Sequence, residues 1–415
     1  MGYARRDGEL CADGVPLERI ATAVGTPAYV YSWPSVREQF ARIDTALAGI
    51  DHRICYAVKA SSNLAILARL ATLGAGFDIV SGGELERVLR AGGDPGRVVF
   101  SGVGKSTADI DFGVKCGIDA FNVESASELA RLESRARLLG CKARMSVRVN
   151  PDVDANTHPY IATGLKENKF GVAPGQALEL FSRASASPDL TVAGIDCHIG
   201  SQIADVEPFE AALAALLELV DTLDRGGISL DHVDIGGGFG ITYADEPALD
   251  IDILGEVLRN NLAERPLQLR VEPGRCLVAD AGVLLTRVEY LKPAPAPGHR
   301  NFAVVDAAMN DLIRPALYQA WHAVEPVVES GGTPKRWDVV GPVCETGDFL
   351  ALDRVLALNE GDLLAIRTAG AYGFAQSSNY NTRPRVPEVL VDGEDFAVVR
   401  KRETVADVLR LETLG

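Results

Sequence analysis

The sequence repeats one local pattern, which consists of a short run rich in β-branched residues, a turn, and an amphipathic helical stretch. Runs of β-branched residues between turn residues are typical of strands, and apolar residues three and four positions apart are typical of helices. The predicted strands cover residues 53–60, 77–80, 98–100, 120–123, 145–149, 192–198, 232–235 and 267–271. The pattern therefore predicts an α/β fold with eight strand–helix units.

Eight such units over about 250 residues favour a (β/α)8 TIM barrel, because this is the usual size of that fold. A doubly wound sheet has the same alternation, so the strand count alone leaves this alternative open. The clearest predicted helices cover residues 63–73, 84–91, 125–139 and 208–225. Ser125 and Glu128 have the spacing of a capping box at the start of the third of these helices.

After Gly274 the predicted strands are no longer separated by comparable helices. They cover residues 283–290, 302–305, 337–340, 363–366, 388–391 and 396–399. Strands without intervening helices indicate a separate domain, which we expect to be a mostly antiparallel β-sandwich or β-barrel. We expect the TIM barrel over residues 29–280 and the β domain over residues 281–415, with the N-terminal segment 1–28 contributing to the β domain.

The chain is acidic, with 57 Asp and Glu residues against 41 Lys and Arg residues and a formal net charge of −16. Such a surface repels phosphate backbones, so we expect no nucleic-acid partner. The seven cysteines are scattered and include no Cys-x-x-Cys pair. This predicts neither a disulfide framework nor a structural zinc site, and it favours a reducing, cytoplasmic location.

No segment of the sequence is predicted to enter a membrane. The longest apolar stretch, around residues 211–220, contains Glu218 and is too short to span a bilayer. The first residues carry two arginines but no apolar segment of the kind a signal peptide needs. We therefore expect an intracellular protein without a membrane partner.

Two glycine-rich motifs resemble nucleotide-binding loops but lack a required glycine. The Walker pattern in residues 101–107 needs glycine where Val99 stands, and the dinucleotide pattern in residues 236–240 needs glycine where Ile241 stands. The first motif is better explained as a strand-to-helix turn. The second is equally consistent with a tight turn and with a loop whose backbone N–H groups hold a phosphate.

Polar residues collect at the predicted C-terminal ends of the barrel strands, where barrel enzymes carry out their chemistry. They are Lys59, Asp78, Arg148, His198, Ser201, Glu272 and Arg275. Each has an ordinary structural explanation by itself, such as an ion pair between Asp78 and Arg148 or a lysine extending from a strand end. Together, a lysine able to form a Schiff base, an acid, an imidazole and a glycine-rich loop are the parts that a pyridoxal phosphate site needs.

Through these residues and several later motifs, the chain resembles the diaminopimelate decarboxylases, a family within the alanine-racemase-like, fold-type III group of pyridoxal-phosphate enzymes. The matching segments follow the family order at residues 56–60, 77–85, 197–202, 236–238, 272–275, 314–318, 344–348 and 370–373. Several of these motifs also occur singly in ornithine and arginine decarboxylases. The chain departs from the family at Ser61, where Asn is usual, and at Phe239, where Leu is usual, and we assign chemistry to neither.

The resemblance implies that pyridoxal 5'-phosphate is the cofactor and that Lys59 binds it covalently. It implies further that Glu272 contacts the pyridine nitrogen, that His198 stacks on the ring, and that the N–H groups of Gly237 and Gly238 hold the phosphate. The other cofactor-binding residues that it implies are Ser201, Pro273, Gly274, Arg275 and Tyr372.

The resemblance also implies decarboxylation of meso-2,6-diaminopimelate to L-lysine and CO2, the last step of lysine biosynthesis. The residues that it places around the substrate are Arg275, Arg314, Tyr318, Glu345 and Tyr372. Cys344 is implied to donate the proton that replaces CO2. In this family its segment reaches the active site of the other subunit, which implies a head-to-tail homodimer. Without the resemblance, Cys344 would be interpreted as a buried inert cysteine, and Arg314 and Tyr318 as neighbours on one helix face.

Three alternatives are weighed against this interpretation. A related decarboxylase of ornithine, lysine or carboxynorspermidine is opposed by the segment 314–318, and an amino-acid racemase by the segment 344–348. A non-catalytic regulatory homologue would not need both Lys59 and Cys344. The sequence does not decide whether Asp78 and Arg148 contact the cofactor or only brace the barrel.

Overall fold

Eight parallel strands close into a barrel, each paired with the next in chain order and the last with the first. The computed structural model describes residues 2–153, 169–296, 298–329 and 331–415. The barrel strands are His52–Ala57, Gly76–Ile79, Val98–Phe100, Ala120–Val123, Ala143–Arg148, Leu190–Asp196, His232–Asp234 and Gln268–Val271. Closure confirms the predicted (β/α)8 barrel and excludes a doubly wound sheet, which stays open.

Helices follow the barrel strands as predicted, because their apolar residues recur at helical spacing. They are Leu64–Thr72, Gly82–Arg90, Thr107–Cys116, Ala126–Leu139, Pro174–Ser185, Glu207–Arg225, Ile251–Leu262 and Arg275–Val278. In Glu207–Arg225, residues Phe209, Leu213, Leu216 and Val220 are buried along one face. Burial of each such side chain contributes about 1.5–3 kcal/mol.

Half of the predicted capping box at Ser125 is present. The Ser125 hydroxyl accepts a hydrogen bond from the Glu128 N–H at 3.1 Å. The Glu128 carboxylate, however, accepts from the N–H of Glu124 at 3.0 Å and pairs with Lys105 at 2.7 Å. The Glu128 carboxylate therefore binds the buried Lys105 and does not complete the capping box. The sequence pattern did not predict this contact.

The second unit contains a nine-stranded, mostly antiparallel sheet. Its strands are Ala28–Ser32, Gly282–Lys292, Phe302–Val305, Val324–Pro326, Lys335–Val340, Phe349–Leu356, Leu363–Ile366, Glu388–Asp392 and Asp395–Arg400. Two pairs are parallel, Ala28–Ser32 with Glu388–Asp392 and Phe302–Val305 with Lys335–Val340. The six strands predicted after Gly274 are all present, and the unit confirms the expected β domain.

Shorter elements complete this second unit. A three-stranded antiparallel sheet is formed by Tyr3–Arg6, Glu9–Ala12 and Val15–Pro16. Its helices are Leu17–Val24, Arg314–Tyr318 and Val405–Leu409, and it also includes the first half of the helix Trp33–Ala46. Buried residues of the small sheet pack with residues of the large one, such as Leu10 with Val283 and Val389 in one core cluster.

The boundaries between the two units differ from the predicted positions at 28/29 and 280/281. The barrel unit consists of residues 40–242 and 247–276, and the remaining residues form the β unit. The first boundary lies later because the strand Ala28–Ser32 pairs with Gly282–Lys292 in the β sheet. The short segment Tyr243–Glu246 also belongs to the β unit. Within the described ranges, we find no helix with both the length and the apolar character required to cross a membrane.

Candidate active site

The C-terminal ends of the barrel strands carry the residues predicted to bind the cofactor. Lys59 lies in the 3-10 turn Val58–Ala60 directly after the first strand, and Glu272 directly follows the last strand. These two strands are adjacent in the barrel, since Val271 pairs with Ile54. Parallel strands end at the same rim, so these side chains lie at one end of the barrel.

Lys59 forms an ion pair with Asp78. The lysine Nζ lies 2.7 Å from Asp78 Oδ2, and Asp78 is fully buried on the neighbouring strand. The other carboxylate oxygen, Oδ1, has no hydrogen-bond partner among the described residues. Asp78 therefore holds the lysine amine at the C-terminal end of the barrel strands, where the sequence interpretation places it.

Glu272 is a buried carboxylate with an unused acceptor. Its side chain is 5% exposed, and Oε1 has no partner among the described residues. Burial raises the pKa of Glu272 well above its usual range, and the carboxylates of Asp78 and Asp196 raise it further. A buried acceptor without a donor costs about 1–3 kcal/mol, so a ligand that brings an N–H group would suit this position.

Asp196 and Asp234 lie next to Glu272, and oxygens of the three carboxylates lie within 4.8 Å of one another. Such a group has the ligand types for a divalent cation.

Arg148 supplies positive charge beside these carboxylates. Its guanidinium lies 3.2 Å from Glu124 and 3.9 Å from Asp196. Burial works to lower the pKa of Arg148, but Glu124 and Asp196 raise it overall. Arg148 thus lies between two buried carboxylates of the barrel.

His198 is a neutral imidazole that faces the glycine loop. Burial lowers the pKa of His198 well below its usual range, and the charges of Arg148 and Lys59 lower it further. The N–H of Gly237 donates to His198 Nδ1 at 3.1 Å. The ring proton of the neutral imidazole is therefore on Nε2.

The glycines after the strand His232–Asp234 are required by close packing of the loop. A Cβ on Gly237 would meet the carbonyl oxygen of Glu272, and one on Gly238, which has φ +94°, would meet that of Gly200. Asp234 Oδ1 also accepts the N–H of Gly236 at 2.8 Å. These contacts bring the backbone of the loop close to the strand ends on both sides. Close packing therefore accounts for the glycines of this loop.

Ser201 and Arg275 meet at the rim beside this loop. Arg275 Nη2 donates to Ser201 Oγ at 3.0 Å, although the two residues follow different strands. A guanidinium and a hydroxyl together suit an anionic group. Pro273 accepts the N–H of Ala57 through its carbonyl oxygen, and a Cβ on Gly274 would lie 3.0 Å from the Cβ atoms of Ala57 and Ala60. Both contacts join the segment after Glu272 to the lysine-bearing turn.

The remaining predicted residues belong to the β unit. Arg314 and Tyr318 begin and end the short helix Arg314–Tyr318, so they lie one turn apart. Arg314 is 6% exposed and donates through Nη1 to His322 Nε2 at 2.8 Å. The guanidinium also lies over the ring of Tyr243, with its central carbon 4.5 Å from the ring centroid.

Cys344 and Glu345 are exposed in a loop of the β unit. The interpretation of Cys344 as a buried cysteine is therefore wrong. Asp348 holds this loop by accepting the N–H groups of Val343 and Met309 at 2.7 and 2.6 Å. The Tyr380 hydroxyl donates to Glu345 at 3.4 Å. Tyr372 lies outside this loop, in another part of the β unit. Its backbone φ of +57° is in the left-handed region, which is strained for a residue with a side chain.

The predicted cofactor residues thus lie at one rim of the barrel, except Tyr372, which belongs to the β unit together with the predicted substrate residues other than Arg275. Sequence reasoning missed Glu124, Asp196 and Asp234 at the strand ends. An acid at the end of an apolar strand was the available signal, and it was followed only at Asp78 and Glu272. Nothing in the sequence pointed to Tyr243 or His322, since both reach Arg314 through tertiary contacts.

Comparison with known families agrees with this geometry. Residues 34–279 match the family described as pyridoxal-dependent decarboxylase, pyridoxal binding domain. The chain is 59% identical over 413 residues to the diaminopimelate decarboxylase of Pseudomonas aeruginosa, with 99% of each sequence covered.

Solved structures of similar proteins share the whole fold. Diaminopimelate decarboxylase from M. jannaschii has a TM-score of 0.94 at 35% identity, covering 100% of this chain and 98% of that one. Diaminopimelate decarboxylase from Helicobacter pylori, complexed with L-lysine, has a TM-score of 0.91 at 43% identity, covering 95% of this chain and 98% of that one.

Proposed function

Because the chain belongs to the diaminopimelate decarboxylase family of pyridoxal-dependent decarboxylases, we propose that it converts meso-2,6-diaminopimelate to L-lysine and CO2, the last step of lysine biosynthesis. In this reaction one carboxylate leaves as CO2, and a proton takes its place on the same carbon. The relatives that support this activity match nearly the full length of the chain, both units included.

The barrel rim fits pyridoxal 5'-phosphate. The observation that carries this fit is the buried Oε1 of Glu272, an acceptor without a donor, placed where the protonated ring nitrogen of the cofactor would supply one. Lys59 offers the amine for covalent attachment, and Arg275 with Ser201 offers a pair for the phosphate. When bound, this cofactor withdraws electrons from the substrate carbon that loses CO2.

The barrel residues hold the cofactor in one orientation. An ionised Glu272 favours the protonated ring nitrogen, which strengthens the electron withdrawal. His198, neutral and held by the Gly237 N–H, is proposed to stack on the ring. The backbone of Gly237 and Gly238 is proposed to line the phosphate, and Gly237 would then exchange its hydrogen bond to His198 for one to the phosphate. Pro273, Gly274 and Tyr372 are proposed to complete the cofactor contacts.

Charged groups of this chain account for the choice of substrate. Diaminopimelate carries an amine and a carboxylate at each end, and Arg275 and Arg314 can bind carboxylates through paired N–H donors. Glu345 is proposed to pair with the distal ammonium, while Tyr318 and Tyr372 contact the substrate. These contacts would orient the substrate and so determine which of its carboxylates leaves.

Cys344 is proposed to supply the proton that replaces CO2. Its thiol is exposed on this chain, so another surface must cover it before it can work in a water-excluded site. A second copy of the chain would do so in the proposed head-to-tail homodimer, whose active sites are shared across the interface. A thiol in this role also requires a reducing compartment, which supports the cytoplasm as the proposed location.

The proposal is tested by measuring CO2 release from meso-diaminopimelate beside L-lysine, L-ornithine and L-arginine, with added pyridoxal phosphate. We expect release from diaminopimelate alone. Faster release from one of the other three amino acids would identify a related decarboxylase instead. A protein that binds the cofactor and releases CO2 from none of them would support a non-catalytic role and overturn the proposed reaction.

A further inference from the structure

Asn381, which sequence analysis did not single out, holds the backbone of Cys344. Its side-chain oxygen Oδ1 accepts the N–H of Cys344 at 3.0 Å, although 37 positions separate the two residues in the chain. The N–H of the preceding residue, Val343, donates to Asp348 Oδ2 at 2.7 Å. All four residues belong to the β unit. Two successive N–H groups of residues 343–348, which we call the Cys344 loop, are therefore held by side-chain acceptors.

The turn that carries Asn381 has an unusual backbone. Asn381 and Thr382 both have positive φ angles, +56° and +58°, in the left-handed region that residues with side chains rarely adopt. Asparagine tolerates this region, whereas threonine, which branches at Cβ, is strained there. The surrounding structure must therefore hold the turn in this conformation, and strain of this kind is frequent at functional sites.

The buried residue Asn310 anchors this turn. It is 2% exposed, and its side-chain oxygen accepts the Nε–H of Arg383 at 2.9 Å. Its carbonyl oxygen accepts the N–H of Ser378, also at 2.9 Å. Arg383 and Ser378 lie on either side of Asn381 in the chain, so both ends of the turn are attached to Asn310.

Met309, the neighbour of Asn310, anchors the Cys344 loop. Its N–H donates to Asp348 Oδ1 at 2.6 Å, and Asp348 is buried. One carboxylate thus holds both Met309 and the N–H group that precedes Cys344. The turn and the loop are therefore attached to two consecutive residues of one segment, which fixes their relative position.

Stability of the fold does not by itself explain the contact between Asn381 and Cys344. Both residues are exposed on this chain, and a hydrogen bond that water can replace contributes little to stability. In the proposed dimer, a second copy would cover Cys344 and exclude water, which strengthens the same bond. The thiol is one rotatable bond from the backbone, so a fixed Cys344 backbone limits the sulfur to a few staggered positions. The contact is therefore suited to placing the thiol.

From this geometry we propose that Asn381 is a positioning residue, which places the Cys344 thiol for proton delivery. The inference rests on the proposed function, in which Cys344 supplies the proton that replaces CO2. A misplacement of about 1 Å can lower the rate of a catalysed step by about 100-fold. Loss of one contact at the backbone of the proton donor should therefore have a measurable kinetic effect.

The test compares Asn381→Gly, which removes the acceptor, with Asn381→Asp, which keeps an oxygen in the same place. Glycine adopts the left-handed backbone without strain and aspartate tolerates it, so both variants should keep the turn. Asn381→Ala removes the same acceptor if the glycine variant does not fold. The control is Asn359→Gly, at an exposed position in another loop of the β unit. For each variant, kcat and KM are measured with meso-diaminopimelate in H2O and in D2O, together with the absorbance of bound cofactor.

In Asn381→Gly we expect kcat to fall about 10- to 100-fold. KM should change less than about twofold, as expected for a contact that acts only in the reaction step. The ratio of kcat in H2O to kcat in D2O should rise, because a thiol proton exchanges with solvent and its transfer becomes slower. Asn381→Asp should recover most of kcat, and Asn359→Gly should match the wild-type protein.

Combining Asn381→Gly with Cys344→Ala separates positioning from a structural role. If Asn381 acts through the thiol, the double variant should be no more than about twofold slower than Cys344→Ala alone, since the group that Asn381 places is gone. Losses that multiply in the double variant would show a structural role and overturn the inference. So would a lower melting temperature of Asn381→Gly together with loss of bound cofactor.

The outcomes also distinguish this inference from the proposed function. A wild-type protein that releases no CO2 from diaminopimelate, or an unchanged kcat in Cys344→Ala, contradicts the proposed function and the inference with it. A large loss of turnover in Cys344→Ala beside normal turnover in Asn381→Gly shows that the positioning role alone is wrong.

Discussion

Two carboxylates at the barrel rim, those of Asp78 and Glu272, differ in the contacts they make. Asp78 directs the amine of Lys59 through a 2.7 Å ion pair. Burial, and then the neighbouring acids, raise the pKa of Glu272, and it has an acceptor that the described residues do not use. A positively charged N–H group from a ligand would donate to this acceptor, and its charge would also offset the repulsion between Glu272 and the neighbouring carboxylates. Glu272 is therefore the residue at which we expect a substitution to affect both cofactor binding and catalysis.

Replacing Glu272 by Gln should therefore lower kcat by about 100-fold or more, the range seen when one preorganised electrostatic contact is removed. An amide cannot match the charge of a protonated ring nitrogen, so electron withdrawal weakens although the shape is kept. The measurement is CO2 release at saturating cofactor. Glu179→Gln, the same change at an exposed helix position, serves as the control. Near-normal turnover in Glu272→Gln would remove Glu272 from the mechanism.

Replacing Cys344 by Ala should lower kcat by about 100-fold or more, since a positioned proton donor contributes that much. The cofactor absorbance should stay unchanged because Cys344 belongs to the other unit and is assigned no cofactor contact. Cys141→Ala, at a second exposed cysteine, should leave turnover intact. An unchanged kcat in Cys344→Ala would assign the proton to another group.

At the scale of elements, the glycine-rich motif of residues 101–107 has a structural role. Lys105 is buried, and its Nζ donates to the carbonyl oxygens of Gly102 and Asn122 and to Glu128, at 2.7–2.8 Å. All three hydrogens of the ammonium are therefore used within the protein. The motif joins a strand end to the next strand and helix, and the interpretation as a turn is the better one.

Lys105→Met should destabilise the protein by about 3 kcal/mol, because Glu128 is left buried without its cation. The melting temperature should fall, while the absorbance of bound cofactor should persist below the transition. Lys115→Met, at an exposed position in the following helix, is the matched control. Equal melting temperatures for the two variants would contradict the structural role given to Lys105.

A strand or helix could be predicted from the sequence where the residues within it determine its structure. All eight barrel strands could be predicted because buried parallel strands are short apolar runs between turns. The strand Phe349–Leu356 was not predicted, because Asp353 and Arg354 interrupt its apolar pattern. In the candidate site, Lys59 and Glu272 could be identified because each directly follows a predicted strand. His322 could not, since only the folded chain brings it to Arg314.

At the scale of the whole molecule, the proposed reaction involves residues from both units and, in the proposed dimer, from two chains. The predicted substrate residue Glu345 and the predicted proton donor Cys344 are exposed on this chain. A catalytic thiol and a carboxylate that recognises an ammonium work best where water is excluded. In the proposed dimer, a second copy of the chain would cover the side chains of Glu345 and Cys344 and exclude water from them.

Mixing Lys59→Ala chains with Cys344→Ala chains tests this arrangement. If each site combines Lys59 of one chain with Cys344 of the other, random exchange gives half heterodimers with one intact site each, or about a quarter of wild-type activity. Each variant alone, taken through the same exchange, is the control. No recovered activity despite demonstrated subunit exchange would indicate that each chain carries a complete site.

The central claim, that Lys59 carries pyridoxal phosphate at the mouth of the barrel, is tested by reduction with borohydride followed by peptide mass spectrometry. The account predicts an absorbance band at about 420 nm, typical of this cofactor when bound to a lysine. It also predicts that reduction fixes the cofactor on the peptide containing Lys59, and that Lys59→Ala shows no fixed label. Label on another lysine, or a protein that takes up no cofactor, would contradict the account.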